Sequence, residues 1–199
     1  MGKKRHVEDI KEESLTYEDY SKLPEDGSHY ELVNGKLELM APAPTAEHQI
    51  ISSNLIAMIN QHCRLDYFIL YAPIDLILSN AEVRQPDIVM IQRNRRDIIT
   101  RRGIEGAPDL IVEILSPSTA LKDKKNKRKT YAYFGIKEYW IVDPLHRTIE
   151  QNLLNPEKHQ YDLYEVFGGD EETITSPLIP CLSISVKEIF RDLDLFDLG

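Results

Sequence analysis

At 199 residues, with 42% hydrophobic and 29% charged positions, the chain has the length and composition of one soluble globular domain. Its net charge of −9 excludes a surface coated in positive charge, and no apolar run approaches the roughly 20 residues that a membrane span needs. The polar start MGKKRHVEDIKEES lacks the apolar stretch of a secretory signal, and Cys63 and Cys181 show neither metal spacing nor a disulfide framework, so a reducing cytoplasm is expected.

Residues 1–14 are expected to form a polar, frayed arm and 15–199 a single domain. Thr16 before Tyr17-Glu18-Asp19 predicts an N-cap and a short helix ending near Pro24. YELVNGKLELM (30–40) predicts a β-hairpin, because Asn34-Gly35 suits a type I′ turn with positive φ at both central positions. Thr45 opens a long helix to about Cys63, with Ile51, Leu55, Met58 and Ile59 at helical spacing. YFILYA (67–72), IDLILS (74–79) and DIVMI (87–91) read as strands, followed by an arginine-rich connection to DLIVEIL (109–115). Ser118 or Thr119 is expected to cap a helix reaching Phe134 and closed by Gly135. EYWIVDP (138–144) is another strand, TIEQNLL (148–154) and QYDLYEVF (160–167) a hairpin pair, and VKEIF (186–190) a terminal helix. The order predicts a mixed α/β layer around one central sheet.

Charge is unevenly spread. Arg93, Arg95, Arg96, Arg101 and Arg102 crowd one segment, and KDKKNKRK (122–129), which contains Lys124 and Arg128, makes a second. On an acidic chain such clusters suit a confined phosphate-contacting groove; the plain alternative is two solvated faces.

The sharper signal is acidic. DLIVEIL is bounded by Pro108 and Pro117 and reads as a buried strand, yet it carries Glu113 between Val112 and Ile114. An ionised carboxylate there costs several kcal/mol unless something pairs it or binds it. Alternation puts Asp109, Ile111, Glu113 and Leu115 on one face and Leu110, Val112 and Ile114 on the other. Asp87, behind Pro86 at a strand start, and Glu31, in the first hairpin strand, are further carboxylates. If their strands are neighbours, the three converge as an oxygen cluster suited to a hard divalent cation. Singly, Asp87 would be a strand cap, Glu31 an exposed hairpin residue and Glu113 half of a structural ion pair. Trp140 reads as core, and His29, His62, His146 and His159 have no zinc spacing.

PD at 86–87, with Glu113 in a later strand, resembles the first two thirds of the PD-(D/E)XK nuclease signature. VEILSPST, the Asp123–Lys127–Tyr131 spacing and GIKEYWIVDP resemble the Uma-type family of restriction endonucleases, as do YELVNGKLE and the helix bearing His48. The resemblance covers roughly residues 15–190. It implies a restriction-endonuclease-like core, a mixed sheet flanked by helices with an N-terminal hairpin, and a metal-dependent endonuclease acting on DNA. Glu31, Asp87, Glu113 and the backbone carbonyl of Ile114 would hold magnesium, with manganese as a substitute. A homodimer is implied, and a companion methyltransferase is left open.

One position departs from the nuclease signature. Leu115 stands where a lysine is expected two residues after Glu113. Asp123, Lys127 and Tyr131 lie at i, i+4 and i+8 on one helix face, so a buried Tyr131 would turn Lys127 inward to replace the missing lysine. Asp123, Tyr131 and His48 are candidate accessory residues, and Lys124, Arg128 and the arginines of 93–102 candidate nucleic-acid contacts. The competing expectation is a non-catalytic nucleic-acid-binding or interaction module that keeps the nuclease fold.

Overall fold

The computed structural model describes residues 14–24, 27–41, 43–116 and 120–196, with the side chains of 120–124 left aside. Residues 1–13 of the arm expected over 1–14, and the Ser118 or Thr119 cap, lie outside the described residues. No helix among the described residues is long and apolar enough to cross a membrane.

The first elements follow the local chemistry. Helix α1 (Tyr17–Tyr20) starts in a capping box, in which the Asp19 N–H donates to the Thr16 hydroxyl and the Thr16 N–H donates back to the Asp19 carboxylate. Strands β1 (Tyr30–Val33) and β2 (Lys36–Leu39) pair across Asn34 and Gly35, whose φ values of 49° and 75° are those a type I′ turn requires. Helix α2 (Ala46–Cys63) is capped by Thr45 and buries Ile51, Leu55, Ile59 and Cys63, one residue per turn along a single stripe.

There follow β3 (Tyr67–Tyr71), β4 (Leu76–Ser79), β5 (Glu82–Arg84), β6 (Ile88–Gln92), β7 (Ile104–Glu105) and β8 (Leu110–Ile114). Helix α3 (Ala120–Tyr133) leads to β9 (Glu138–Asp143), β10 (Thr148–Asn155) and β11 (Gln160–Phe167). The chain closes with β12 (Thr173–Thr175), β13 (Ser183–Ser185) and α4 (Val186–Ile189). Gly135 ends α3 at a φ of 80°, where a side chain would be strained.

Beside the central sheet expected, a second large sheet forms. The first has six strands in the order β11-β10-β9-β8-β6-β3, the second five in the order β2-β1-β5-β4-β7, and β12 pairs with β13. The difference turns on β5. This three-residue strand pairs with both β1 and β4 and so draws the hairpin and β4 away from the main sheet. Its sequence, Glu82-Val83-Arg84, is too short and too charged to read as a buried strand, yet all three residues are buried.

The main sheet carries a core on each face. Leu110, Val112 and Ile114 pack with Ile88, Met90, Trp140 and the apolar stripe of α2, and β12, β13 and α4 complete that layer. Val89, Ile91, Ile111, Tyr139 and Ile141 pack on the other face with Tyr131 and Ala132 of α3. Because β8 and β9 are parallel neighbours, α3 serves as the crossover that such a pair requires. Trp140 is fully buried, as expected.

Cys63 and Cys181 correct the expectation of two unlinked thiols. They are joined by a disulfide across 118 residues of sequence, with Cα atoms 5.3 Å apart. Spacing concealed the pair because the end of α2 and the turn before β13 meet only in the folded chain. The cysteines therefore carry no argument for a reducing compartment. Closing so long a loop is expected to stabilise the fold by about 2–4 kcal/mol. Urea unfolding with and without dithiothreitol should show a loss of that size in the reduced chain; identical midpoints would contradict it.

Candidate active site

The site is built where β6 meets β8. Ile88 pairs with Val112 and Met90 with Leu110 in antiparallel register, so Asp87, just ahead of β6, comes beside the end of β8 that bears Glu113. The two strands are adjacent as expected, although the link between them is no plain hairpin. It makes a 3-10 turn at Arg93–Ile98 and sends β7 into the smaller sheet.

Alternation along β8 turns Glu113 toward α3. There the Lys127 ammonium stands 3.0 Å from Glu113 Oε1 and 2.9 Å from Oε2, and the Tyr131 hydroxyl donates to Oε1 at 2.6 Å. Lys127 and Tyr131 are one helical turn apart, so a single face of α3 delivers both. Lys127 Nζ also lies 3.6 Å from Glu31 Oε1.

Glu31 reaches this point from the smaller sheet, since β1 is not a neighbour of β6 or β8. Its carboxylate accepts from the Gln85 N–H at 3.0 Å and from Arg84 Nη1 at 3.0 Å. Arg84 in turn donates to Glu82 at 2.7 Å and reaches the Thr130 hydroxyl on α3. The result is a buried series of alternating charge, Glu113–Lys127–Glu31–Arg84–Glu82. Sequence reading missed Glu82 and Arg84; their signal was EVRQPD, a charged strand set directly before Pro86-Asp87.

The two carboxylates on Lys127 titrate differently. Burial pushes Glu113 up to about 7, against the pull of Lys127 and with a further push from Asp87. Burial also pushes Glu31 up, but Lys127, Arg84 and the Gln85 N–H outweigh it and leave Glu31 below its ordinary value. Burial alone would lower Lys127, yet the Glu113 and Glu31 charges more than offset it, so the ammonium holds its proton firmly.

Asp87 binds the opposite layer. Its Oδ2 accepts from the Ile114 N–H at 2.7 Å and lies 3.2 Å from His48 Nε2, at the start of α2. His48 Nδ1 is buried and has no partner among the described residues. Burial lowers the imidazole, but the hydrogen bond to Asp87, the Asp87 and Glu113 charges and the Ile114 main chain together outweigh it, a net rise.

Asp87 and Glu113 on adjacent strands, with the main chain of Ile114 between them, are hard oxygen donors. They match the one or two protein carboxylates by which magnesium is commonly held, the rest of its shell being water and phosphate. No group of three His, Cys, Asp or Glu side chains placed to hold a metal ion occurs among the described residues. Asp87 and Glu113 are thus the two carboxylates on hand for a metal, with Glu31 committed to Arg84, Gln85 and Lys127.

The basic residues are dispersed. Arg95 donates to Asp109 at 2.8 Å and to the Ala107 carbonyl, and Arg93 to the Arg64 carbonyl while lying 4.4 Å over the Phe68 ring. Arg102 pairs with Glu105, and Arg128 donates to Asn152 and to the Tyr161 carbonyl. Arg96 and Arg101 are exposed with no ion pair among the described residues. The segment from Arg93 to Arg96 follows Gln92, at the end of β6 remote from Asp87, about 17 Å away along the strand. The side chains of Asp123 and Lys124 lie outside those described. The structure thus gathers Glu31, His48, Asp87, Glu113, Lys127 and Tyr131, and leaves the arginines of 93–96 at the far end of the strand pair.

A family described as Uma2, "Putative restriction endonuclease", matches residues 17–187. The chain belongs to the Uma2 family. A crystal structure described as a putative nuclease belonging to DUF820 from Anabaena variabilis ATCC 29413 has the same fold, with a TM-score of 0.72 and 22% sequence identity. The match covers 88% of this chain and 97% of that one. No curated protein matches the chain. The mixed α/β class expected from the sequence is thereby shown, and the family match over residues 17–187 spans both the smaller sheet and the main one of the Uma2 chain.

The raised Glu113 gives stability a definite pH dependence. Folded Glu113 takes up its proton near 7 and an unfolded glutamate near 4.5, so the native state binds that proton more tightly. The resulting stabilisation is complete below pH 4.5 and is lost as pH rises through 7. Denaturant unfolding of the native chain and of Glu113→Gln should show the native chain losing ground to the variant between pH 4.5 and 7, with a constant difference above. A difference that is flat across that window would refute the raised carboxyl.

Proposed function

We propose that this Uma2 chain hydrolyses phosphodiester bonds of DNA with magnesium, or manganese in its place. The observation that carries the proposal is the Lys127 ammonium, 2.9–3.0 Å from both oxygens of Glu113. The resembled nuclease signature sets its lysine on the strand itself, two residues after the carboxylate, where this chain has Leu115. A cation brought from α3 to the same carboxylate supplies the same charge. Electrostatic help depends on where the ammonium is, not on which element carries it.

Asp87 and Glu113, with the carbonyl of Ile114, would hold the metal. Bound there, magnesium lowers the pKa of a water molecule and neutralises charge on the phosphate under attack. Lys127 holds the attacking water or offsets the negative charge that grows on the phosphate. Glu113 and Glu31 keep Lys127 in place from two sides, and Tyr131 fixes the Glu113 carboxylate. His48, at Asp87 Oδ2, fixes the orientation of that carboxylate. The outward side chains Arg96 and Arg101 are suited to phosphate contacts away from the reacting bond. Cutting both strands of a duplex calls for two sites related by a two-fold axis, hence a homodimer.

One observation favours the second reading, a non-catalytic binding module. Lys127 and Tyr131 together occupy the Glu113 oxygens that a metal would take. Supercoiled plasmid with magnesium or manganese separates the two. Hydrolysis should convert it to open-circular and linear forms, and Lys127→Ala or Glu113→Gln should slow this by about a hundredfold or more, as expected for loss of a contact made in the transition state. A well-folded native chain that binds the plasmid and leaves it intact with either metal would favour the binding module.

A further inference from the structure

Helix α3 has a second working face. Its inner face delivers Lys127 and Tyr131 to the site. Lys125, Lys129 and Tyr133 recur at i, i+4 and i+8 on the outer face, and all three are exposed. This stripe runs about 12 Å along the helix. Neither lysine makes an ion pair among the described residues. Tyr133 leaves 72% of its surface in solvent, and Phe134 braces it edge-on, with ring centroids 5.1 Å apart and planes at 90°.

The stripe also borders a groove. Lys129, Thr130 and Tyr133 of α3 with Phe134 just after it, and Asn34, Ser79, Ala81 and Glu82 of the smaller sheet and its turns, line it around a volume of about 310 Å³. That volume is at the small end of ligand sites. Glu82 is the acid of the lining, and it is buried against Arg84 at 2.7 Å while accepting the Asn34 N–H at 2.8 Å. Its charge is therefore answered within the protein, and Lys129 sets the sign of the groove toward solvent. Thr130 links the groove lining to Arg84, hence to Glu31 and the Lys127 site.

A cation and a flat ring side by side match the two parts of a nucleotide, a phosphate and a base. We propose that this groove and the stripe leading to it are a subsite for a single-stranded segment of nucleic acid, in which Lys129 in the groove wall and Lys125 one turn before it contact phosphates and the Tyr133 ring stacks on one unpaired base. The inference deepens the nuclease proposal, on which it rests, by naming the strandedness of the substrate beside the reacting bond. A duplex offers phosphates to the lysines but keeps its base faces stacked, so the aromatic contact discriminates between the two forms.

Fluorescence anisotropy of the full chain with a labelled 15-nucleotide oligothymidylate, and with a hairpin duplex, tests this in EDTA, where binding is read without cleavage. Tyr133→Ala should weaken oligothymidylate binding at least about fivefold, the lower end of what one base–aromatic stack contributes, while Tyr133→Phe stays within about twofold. Lys125→Ala and Lys129→Ala should each reduce the salt slope by about 0.7, the value for one phosphate on a single strand. Duplex binding should not respond to Tyr133→Ala. The subsite is overturned if the native chain does not bind oligothymidylate, if Tyr133→Ala binds it normally, or if that variant weakens both forms equally. Failure here with plasmid cleavage that depends on Lys127 removes the subsite and leaves the nuclease standing. Binding that depends on Tyr133 in a chain that never cleaves removes the nuclease and leaves the subsite.

Discussion

The structure depends on one buried ammonium. Lys127 lies between Glu113 of the main sheet and Glu31 of the smaller sheet, and it comes from a helix that packs on the main sheet. The main sheet, the smaller sheet and α3 are thereby tied at one point. Such a tie is not cheap, since each charge withdrawn from water costs several kcal/mol before its partners repay it. Removing one partner of a buried pair typically costs about 3–5 kcal/mol, because it leaves the other charge uncompensated. The arrangement is therefore stable as a whole and intolerant of piecemeal change, which is the behaviour expected of a site whose geometry must not drift.

Charge counting explains why the carboxylates differ. The series Glu113–Lys127–Glu31–Arg84–Glu82 holds three acids and two fixed cations, so one negative charge is in excess. Glu31 sits between both cations and is held ionised. Glu113 sits at the end of the series, with Asp87 adding repulsion, and is the group that yields by taking a proton near 7. An additional cation beside Asp87 and Glu113 would remove that excess, and the same two carboxylates are the ones assigned to magnesium. The electrostatic demand of the fold and the chemical demand of the proposed reaction point to the same place.

Local periodicity made much of this legible. Period two along DLIVEIL set Glu113 apart from Leu110, Val112 and Ile114, and the helical spacing of Lys127 and Tyr131 turned both inward. The hairpin at Asn34-Gly35 and the cap at Thr16 were equally plain, because each depends on neighbouring residues alone. What stayed hidden joins distant parts of the chain. Arg84 becomes a site residue only because β5 inserts between β1 and β4. The Cys63–Cys181 link depends on a turn reaching the end of α2. Glu138, fully buried, gives no sign in sequence that Trp140, Gln151 and Ser176 will all donate to it. Tertiary packing decides these, and periodicity carries no record of it.

The proposed relocation of the lysine has a physical reason of its own. Leu115 shares a face with Glu113 and, partly buried, packs against the core beneath α3 that holds Ile111, Tyr131 and Ile141. A lysine at 115 would lose that apolar contact. Lys127 instead approaches from the helix above, where its stem lies against the layer and its ammonium emerges between two carboxylates already present. Moving the cation to α3 also couples it to whatever the outer face of that helix touches. Lys125, Lys129 and Tyr133 stand on the same rigid rod as Lys127, so a strand held along the outside is set at a fixed distance from the carboxylates inside. A lysine on the strand would have served the reacting bond alone; on the helix it joins the site to the surface that would carry the substrate.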